Sequence, residues 1–384
     1  MNPKYKPMFQ EYQLKDKIIL KNRFILAPLT HSSSNDDGTI SQEELDYIEK
    51  KSKDVGMAIT AATCTSINGI AVPNQASISS DSYIDGLSKQ AKVMKNNGAK
   101  AILQLQHAGG LGYTNLLPNN QSLGPSNIKR EGYSQPRPLE EFEILQIIKD
   151  FGSATRRAIH AGFDGVEIHG ANHYLIHQFC SPYYNKRKDK WSDLSYFSIE
   201  VIKEVLKVKN EENKSFIVGY RFSPEEPEHG GIQMEDTYKL LEKLIKTDLD
   251  YLHTSMMHVT SNVRKGRFKG ENKLELLRKW IPIDMPLIAV GSMYSPNDAL
   301  EVMKKNVPLI ALGRPLLIDS NYIKKVEEGE EKFIEKALEY NRHDRHDLTQ
   351  TLYKMSLESD WMPKKNEFSN EIKGGEEDEN EEYK

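Results

Sequence analysis

Eight short runs rich in β-branched and apolar residues, at 23–27, 57–61, 100–105, 165–169, 215–220, 250–254, 286–290 and 308–312, alternate with longer stretches that carry helix signals. This alternation constrains the fold more than any other feature, because parallel strands need long crossovers and a helix is the usual one. Ser41-Gln42-Glu43-Glu44 reads as a capping box, and Ser295-Pro296-Asn297-Asp298 joins an N-cap candidate to a proline at the first helical position. A long helix is expected over 138–160, ended by Ala161-Gly162. Eight strands with crossovers predict an α/β chain folded as a (β/α)8 TIM barrel, although a doubly wound sheet shows the same alternation. Two connections are too long to be simple links: 106–137 after the third strand and 255–270 after the sixth, lengths that in a compact barrel usually mark functional lids. The barrel is expected over 1–340 and a C-terminal helical extension over 341–370. The last segment, 371–384, reads as an acidic disordered tail, since 376–382 holds six acids in seven positions.

Composition removes several classes of function. A formal net charge of −4 over 384 residues leaves no basic footprint for nucleic acid. No segment approaches the roughly 20 apolar residues that span a bilayer, and the N-terminal residues MNPKYKPMFQ contain no apolar secretory region. Two cysteines, Cys64 and Cys180, can neither build a disulfide framework nor supply the usual four thiolates of an iron–sulfur cluster. A soluble protein of the reducing cytoplasm is expected, without a nucleic-acid or membrane partner. A homo-oligomer is compatible with the sequence, which does not specify one.

The chemistry concentrates where strands end. All strands of a parallel barrel point their C-terminal ends at one mouth, where active sites form. The fourth run opens into His169-Gly170-Ala171-Asn172-His173-Tyr174, which crowds two imidazoles, an amide and a phenol into six positions. A neutral imidazole and a carboxamide can both donate hydrogen bonds to one oxygen, and a phenol with an ordinary pKa near ~10 stays protonated and can act as a general acid. Other strands end in Pro28-Leu29-Thr30-His31, Ala62-Thr63-Cys64, Gln104-Leu105-Gln106-His107 and Arg221-Phe222-Ser223-Pro224. Gly291-Ser292 and Gly313-Arg314-Pro315 follow the last two strands and suggest a phosphate cradle of backbone N–H groups with a cation beside it. Taken singly, each has a blander reading: a glycine after a strand is more often a turn, Gln104 a satisfied interior amide, His169 a structural histidine. Arg221 closes an apolar strand, where an unpaired charge costs several kcal/mol. Seven of the eight strand ends carry suitable groups, which makes coincidence a poor explanation.

The residues that carry these groups also resemble a known family. Asn22-Arg23-Phe24-Ile25-Leu26-Ala27-Pro28-Leu29-Thr30, Gln104-Leu105-Gln106-His107-Ala108-Gly109, Glu167 to Leu175, Ser181-Pro182-Tyr183-Tyr184-Asn185-Lys186-Arg187, Arg221 to Pro224 and Leu312-Gly313-Arg314-Pro315 occur in the order seen in the Old Yellow Enzyme family of FMN-dependent NAD(P)H oxidoreductases, across roughly residues 5–335. The resemblance implies a tightly bound, non-covalent FMN with NADH or NADPH as co-substrate. By the same resemblance Pro28, Leu29 and Thr30 line the flavin edge, Ala62 lets backbone approach the ring, and Gln104 holds its pyrimidine end. Arg221 would lie near N1 and O2, and Gly291, Ser292, Gly313 and Arg314 would hold the phosphate. His169 and Asn172 would bind a carbonyl or nitro oxygen of an electrophilic alkene, and Tyr174 would protonate the carbon alpha to it. The implied cycle is ping-pong: hydride passes from NAD(P)H to the flavin N5 and then to the beta carbon of an enone, enal or nitroalkene.

The pattern departs from the family at Gln106, where tryptophan is common, at Gly110, where arginine is frequent, and at His173, where glycine is usual. No metal is expected: His169, His173 and His177 cluster in sequence, but no carboxylate follows at ligand spacing. The basic stretch 264–269 reads as a solvated loop. Alternatives within the superfamily are an enoyl-thioester reductase or a xenobiotic or nitro reductase. The alternative from another class is a phosphate-binding barrel lyase or aldolase, which would want a lysine at a strand end, and none stands there.

Overall fold

In the computed structural model, residues 1–212 and 215–365 are described. Eight strands form its centre: β1 (Phe24–Leu26), β2 (Met57–Ile59), β3 (Lys100–Gln106), β4 (Gly165–Gly170), β5 (Ile217–Phe222), β6 (Tyr251–Thr254), β7 (Leu287–Val290) and β8 (Leu309–Leu312). Each pairs in parallel with the next, and β8 pairs with β1 through Ile310 and Phe24, so the ring closes. Closure decides between the two architectures that the strand count left open: the fold is a TIM barrel. An N-terminal hairpin, Tyr12–Gln13 against Ile19–Leu20, adds Leu14 and Leu20 to an apolar cluster with Ile25, Met57, Ile102, Ile217, Ile288 and Leu309.

Side chains alternate along each strand, so one face of each enters the barrel and the other meets the helices. The register places Gln104 beside Glu167, Glu167 beside Gly219, and Gly219 beside Tyr251; one level higher, Arg221 lies between His169 and His253. Gly219 is needed here: a Cβ on it would come within 2.0 Å of the Tyr251 ring, so only glycine lets that ring cross the barrel.

The outer helices follow the expected crossovers. Glu141–His160 buries Ile144, Ile147, Ile148, Phe151, Ala154 and Ala158, a stripe with helical spacing. It starts three residues later than the sequence suggests, because Arg137–Pro138 pairs with Leu123–Gly124 and Glu140 and Glu143 make the capping box. At Gln42–Ser52, Ser41 caps Glu44 N at 3.1 Å, but the Glu44 carboxylate does not return to complete the expected box. It is buried and bonded instead to Ser34 Oγ (2.6 Å) and Gln90 Nε2 (2.8 Å). Ser295 and Asp298 do form theirs at the start of Pro296–Lys304. After the barrel, Gln350–Glu358 is helical and Leu338–Glu339 pairs with Lys364–Lys365, which brings the C-terminal segment back to the molecule. The buried Lys51 ammonium fastens that return by donating to Leu316 O (2.8 Å), Ser320 Oγ (2.7 Å) and His346 O (2.7 Å). The expected tail, 371–384, lies outside the described residues.

Candidate active site

A cavity of about 330 Å³ opens at the C-terminal mouth of the barrel. Its walls include Pro28 and Leu29 after β1, Asn172 after β4, Arg221 on β5, Gly291 and Ser292 after β7, and Gly313 and Arg314 after β8. These residues are scattered over nearly 290 positions of sequence, and the closed ring brings them to one rim. Thr30, Ala62, Gln104, His169 and Tyr174 are not in its lining. Thr30 is exposed on the stretch after β1; Gln104 is buried on β3. His169 neighbours Arg221 in the strand register and takes the Tyr174 ring edge-on, with centroids 5.3 Å apart.

One end of the cavity suits a phosphate. Gly291 has φ +142, and a Cβ there would come 2.9 Å from Met256 O and 3.0 Å from His258 N, so the backbone turns tightly with room for glycine alone. The Arg314 guanidinium donates to Ser292 Oγ (2.5 Å), Met257 O (3.2 Å) and Trp361 O (2.9 Å), which holds a cation between the turn after β7 and the C-terminal segment. At the other end, Ser255 Oγ donates to Asn172 Oδ1 at 3.0 Å. With its carbonyl thus engaged, the Asn172 amide presents its NH2 group as a donor. Burial, and next the Arg221 charge, hold the His169 imidazole well below its ordinary pKa, so it is neutral and also carries one N–H. His169 Nδ1 is buried with no hydrogen-bond partner. Burial pushes the Tyr174 phenol up to about 12, which keeps its proton in place at neutral pH.

Beneath this rim lies a carboxylate to which the sequence motifs assign no role. Glu167, fully buried on β4, accepts from Gln104 Nε2 (2.7 Å), Tyr251 Oη (3.0 Å) and His253 Nδ1 (2.8 Å). Ser255, Met256, Met257, Met293 and Trp361 also line the cavity without having been singled out as site residues. Three of them follow β6, the strand end that seemed least informative. Glu167 could have been found by alternation, since it shares a face of β4 with His169. Trp361 carried no such signal.

Two expectations need correction. The basic loop is not simply solvated: the buried Glu225 carboxylate accepts from Arg264 N (3.1 Å) and Arg264 Nε (3.2 Å), and Lys265 Nζ donates to Glu228 O (2.5 Å). The carboxylate missing from the histidine cluster is also present, delivered from after β5 rather than by local spacing. Glu226 Oε1 lies 2.7 Å from His177 Nε2 and 3.3 Å from His173 Nδ1. These three bring one ligand atom each within 4.8 Å of one another, the spacing of a cation site. A metal-bound imidazole normally donates its other N–H to a partner, and His177 Nδ1 has none, so the geometry favours a hydrogen-bonded lock.

Comparison with known proteins agrees with this geometry. Residues 7–332 match the model of the NADH:flavin oxidoreductase / NADH oxidase family. The chain is 44% identical over 371 residues to the probable NADH-dependent flavin oxidoreductase YqiG of Bacillus subtilis (strain 168), covering 95% of this chain and 100% of that one. It is 35% identical over 363 residues to the NADH:fumarate oxidoreductase of Klebsiella pneumoniae (strain 342), covering 91% of this chain but only 39% of that longer protein. Among solved structures, the old yellow enzyme from Trypanosoma cruzi superposes with a TM-score of 0.73 at 25% identity, over 85% of this chain and 93% of that one. No helix among the described residues is long and apolar enough to cross a membrane. The chain belongs to the NADH:flavin oxidoreductase / NADH oxidase family, known as the Old Yellow Enzyme family, and is an NAD(P)H-dependent flavin oxidoreductase.

Proposed function

We propose that this chain binds FMN and, with NADH or NADPH, reduces the carbon–carbon double bond of activated alkenes. The observation that carries the proposal is the single cavity whose wall holds Asn172, Arg221, the two glycine turns and Arg314 together. The turn at Gly291-Ser292 and the Arg314 guanidinium fit the phosphate, Pro28, Leu29 and Arg221 on the same wall fit the ring, and the family resemblance assigns Gln104, buried on β3, to the ring's pyrimidine end. When bound, the flavin supplies two-electron transfer between the nicotinamide and the alkene. The chain's own residues supply the rest. His169 and Asn172 present two neutral N–H donors to the activating oxygen, where negative charge grows as the alkene is reduced; one such donor is typically worth ~3 kcal/mol. Ser255 fixes the Asn172 amide, and Tyr174 holds a proton that leaves only toward a strongly basic carbon.

The substrate class extends to unsaturated carboxylates. The Klebsiella relative is named for fumarate. In this chain the Arg130 guanidinium, from the long stretch after β3, is close enough to Tyr174 to oppose the rise of its pKa. A positive charge whose field reaches the proton donor favours an anionic substrate. No lysine lines the cavity, which weighs against the aldolase alternative.

Purified protein with FMN should show flavin absorbance that NADH or NADPH bleaches. Tyr174→Phe should retain flavin and its reduction by nicotinamide, while cyclohexenone or fumarate turnover falls ~100-fold or more, the usual scale for a lost general acid. Equal turnover in the two proteins would remove Tyr174 from the proton-donor role, and a protein that takes up no FMN would remove the functional reading itself.

A further inference from the structure

Glu167 interrupts an apolar strand with a charge that has no access to water. A lone carboxylate in such a place would cost several kcal/mol, so its persistence as an ion depends on what surrounds it. Burial pushes the carboxyl up; against this, the hydrogen bond from His253, then the Arg221 charge and the Gln104 hydrogen bond, hold it below its ordinary range. Its partners come from three other strands: Gln104 from β3, Arg221 from β5, and Tyr251 and His253 from β6.

An ionised carboxylate can only accept hydrogen bonds, and this settles the orientation of two ambiguous side chains. The Gln104 atom 2.7 Å from Glu167 must be its NH2 nitrogen, so the amide carbonyl is the end left for a ligand's N–H. The His253 atom 2.8 Å away must be a protonated Nδ1. Burial lowers the His253 pKa, so the ring is neutral and its buried Nε2, which has no hydrogen-bond partner, carries a lone pair. Arg221 lies between His169 and His253 in the register, and Glu167 is the carboxylate whose ionisation its charge supports.

On the flavin reading given above, we propose that Glu167 is a positioning residue that orients Gln104 toward the bound cofactor and attenuates the Arg221 charge, holding the flavin's reduction potential below the value Arg221 alone would set. It touches no substrate. A purely structural counterion would stabilise the fold without tuning the cofactor, and the two roles separate by the sign of two substitutions. Glu167→Gln keeps the shape and can still accept from Gln104, but removes the negative charge. Tyr251→Phe keeps the charge and removes one hydrogen bond that disperses it.

The test is the midpoint potential of FMN bound to the full chain, measured by dye equilibration for the parent and both variants. Glu167→Gln should move it positive by at least tenfold in the reduction equilibrium, about 30 mV for a two-electron couple. Tyr251→Phe should move it the other way. Unchanged potentials, or shifts of both variants in the same direction, overturn the inference. Should Glu167→Gln fail to fold, Tyr251→Phe decides by itself, and a potential that stays or rises overturns the idea. A parent that binds no FMN overturns the functional reading and this inference with it, whereas a flavin-loaded parent whose variants keep its potential overturns the inference alone.

Discussion

Two adjacent residues, Asn172 at φ 58 and His173 at φ 60, sit in left-handed backbone that costs roughly 1 kcal/mol for a side chain other than glycine. The strain turns the chain so that the Asn172 side chain reaches the cavity wall while His173 turns to Glu226. Burial pushes the His173 imidazole down to about 4, with the Glu226 hydrogen bond opposing the shift. An unfolded histidine titrates near ~6.5, so between those values the unfolded chain binds more protons. The contribution of neutral His173 is therefore complete above about pH 6.5 and is lost as pH falls toward the folded value. His173→Gly relieves the backbone and removes the titrating group, so its melting temperature should fall less steeply than the parent's between pH 6.5 and 4. Parallel melting curves for parent and variant across that window would show that another group carries the slope. Local sequence made the crowding of histidines legible, but Glu226, 49 residues beyond His177, reaches them only through the fold.

At the scale of elements, the turns matter more than the strands. The β7 turn passes through Gly291 at a φ that side chains rarely adopt, tucked against Met256 and His258. Gly291→Ala should cost about 1–3 kcal/mol in a denaturant titration and weaken FMN binding at least tenfold, because the turn must open to admit the methyl group. If FMN bound as tightly to that variant, the phosphate would have to lie elsewhere. The C-terminal segment shows where element-level reading fails. Helix Gln350–Glu358 was foreseeable as an extension, but the placement of Trp361 on the cavity wall, with its carbonyl on Arg314, depends on Lys364–Lys365 pairing with Leu338–Glu339. Long-range pairing of two-residue strands leaves no periodicity to read.

For the whole molecule, Glu167 and Glu226 belong to the set of buried carboxylates, and His177, His173 and Ser181 hold Glu226 well below the ordinary range against the effect of burial. Each has a depressed folded pKa, so each stabilises the protein above the unfolded value near ~4.3 and loses that contribution as pH falls below it. Acid unfolding followed by circular dichroism should begin near pH 4–5, and Glu167→Gln should make it shallower; an identical profile would mean that Glu167 is protonated in the folded state. The sequence by itself determined the number of strands, their parallel sense and the polar groups at most of their ends, because alternation, capping and turn chemistry are local and repeat along the chain. Only the tertiary structure decided that the sheet closes, that Glu167 gathers Gln104, Tyr251 and His253 beneath the cavity, and that Trp361 completes its wall. These depend on register between strands far apart in sequence, and burial lets a charge persist only where that register supplies its partners.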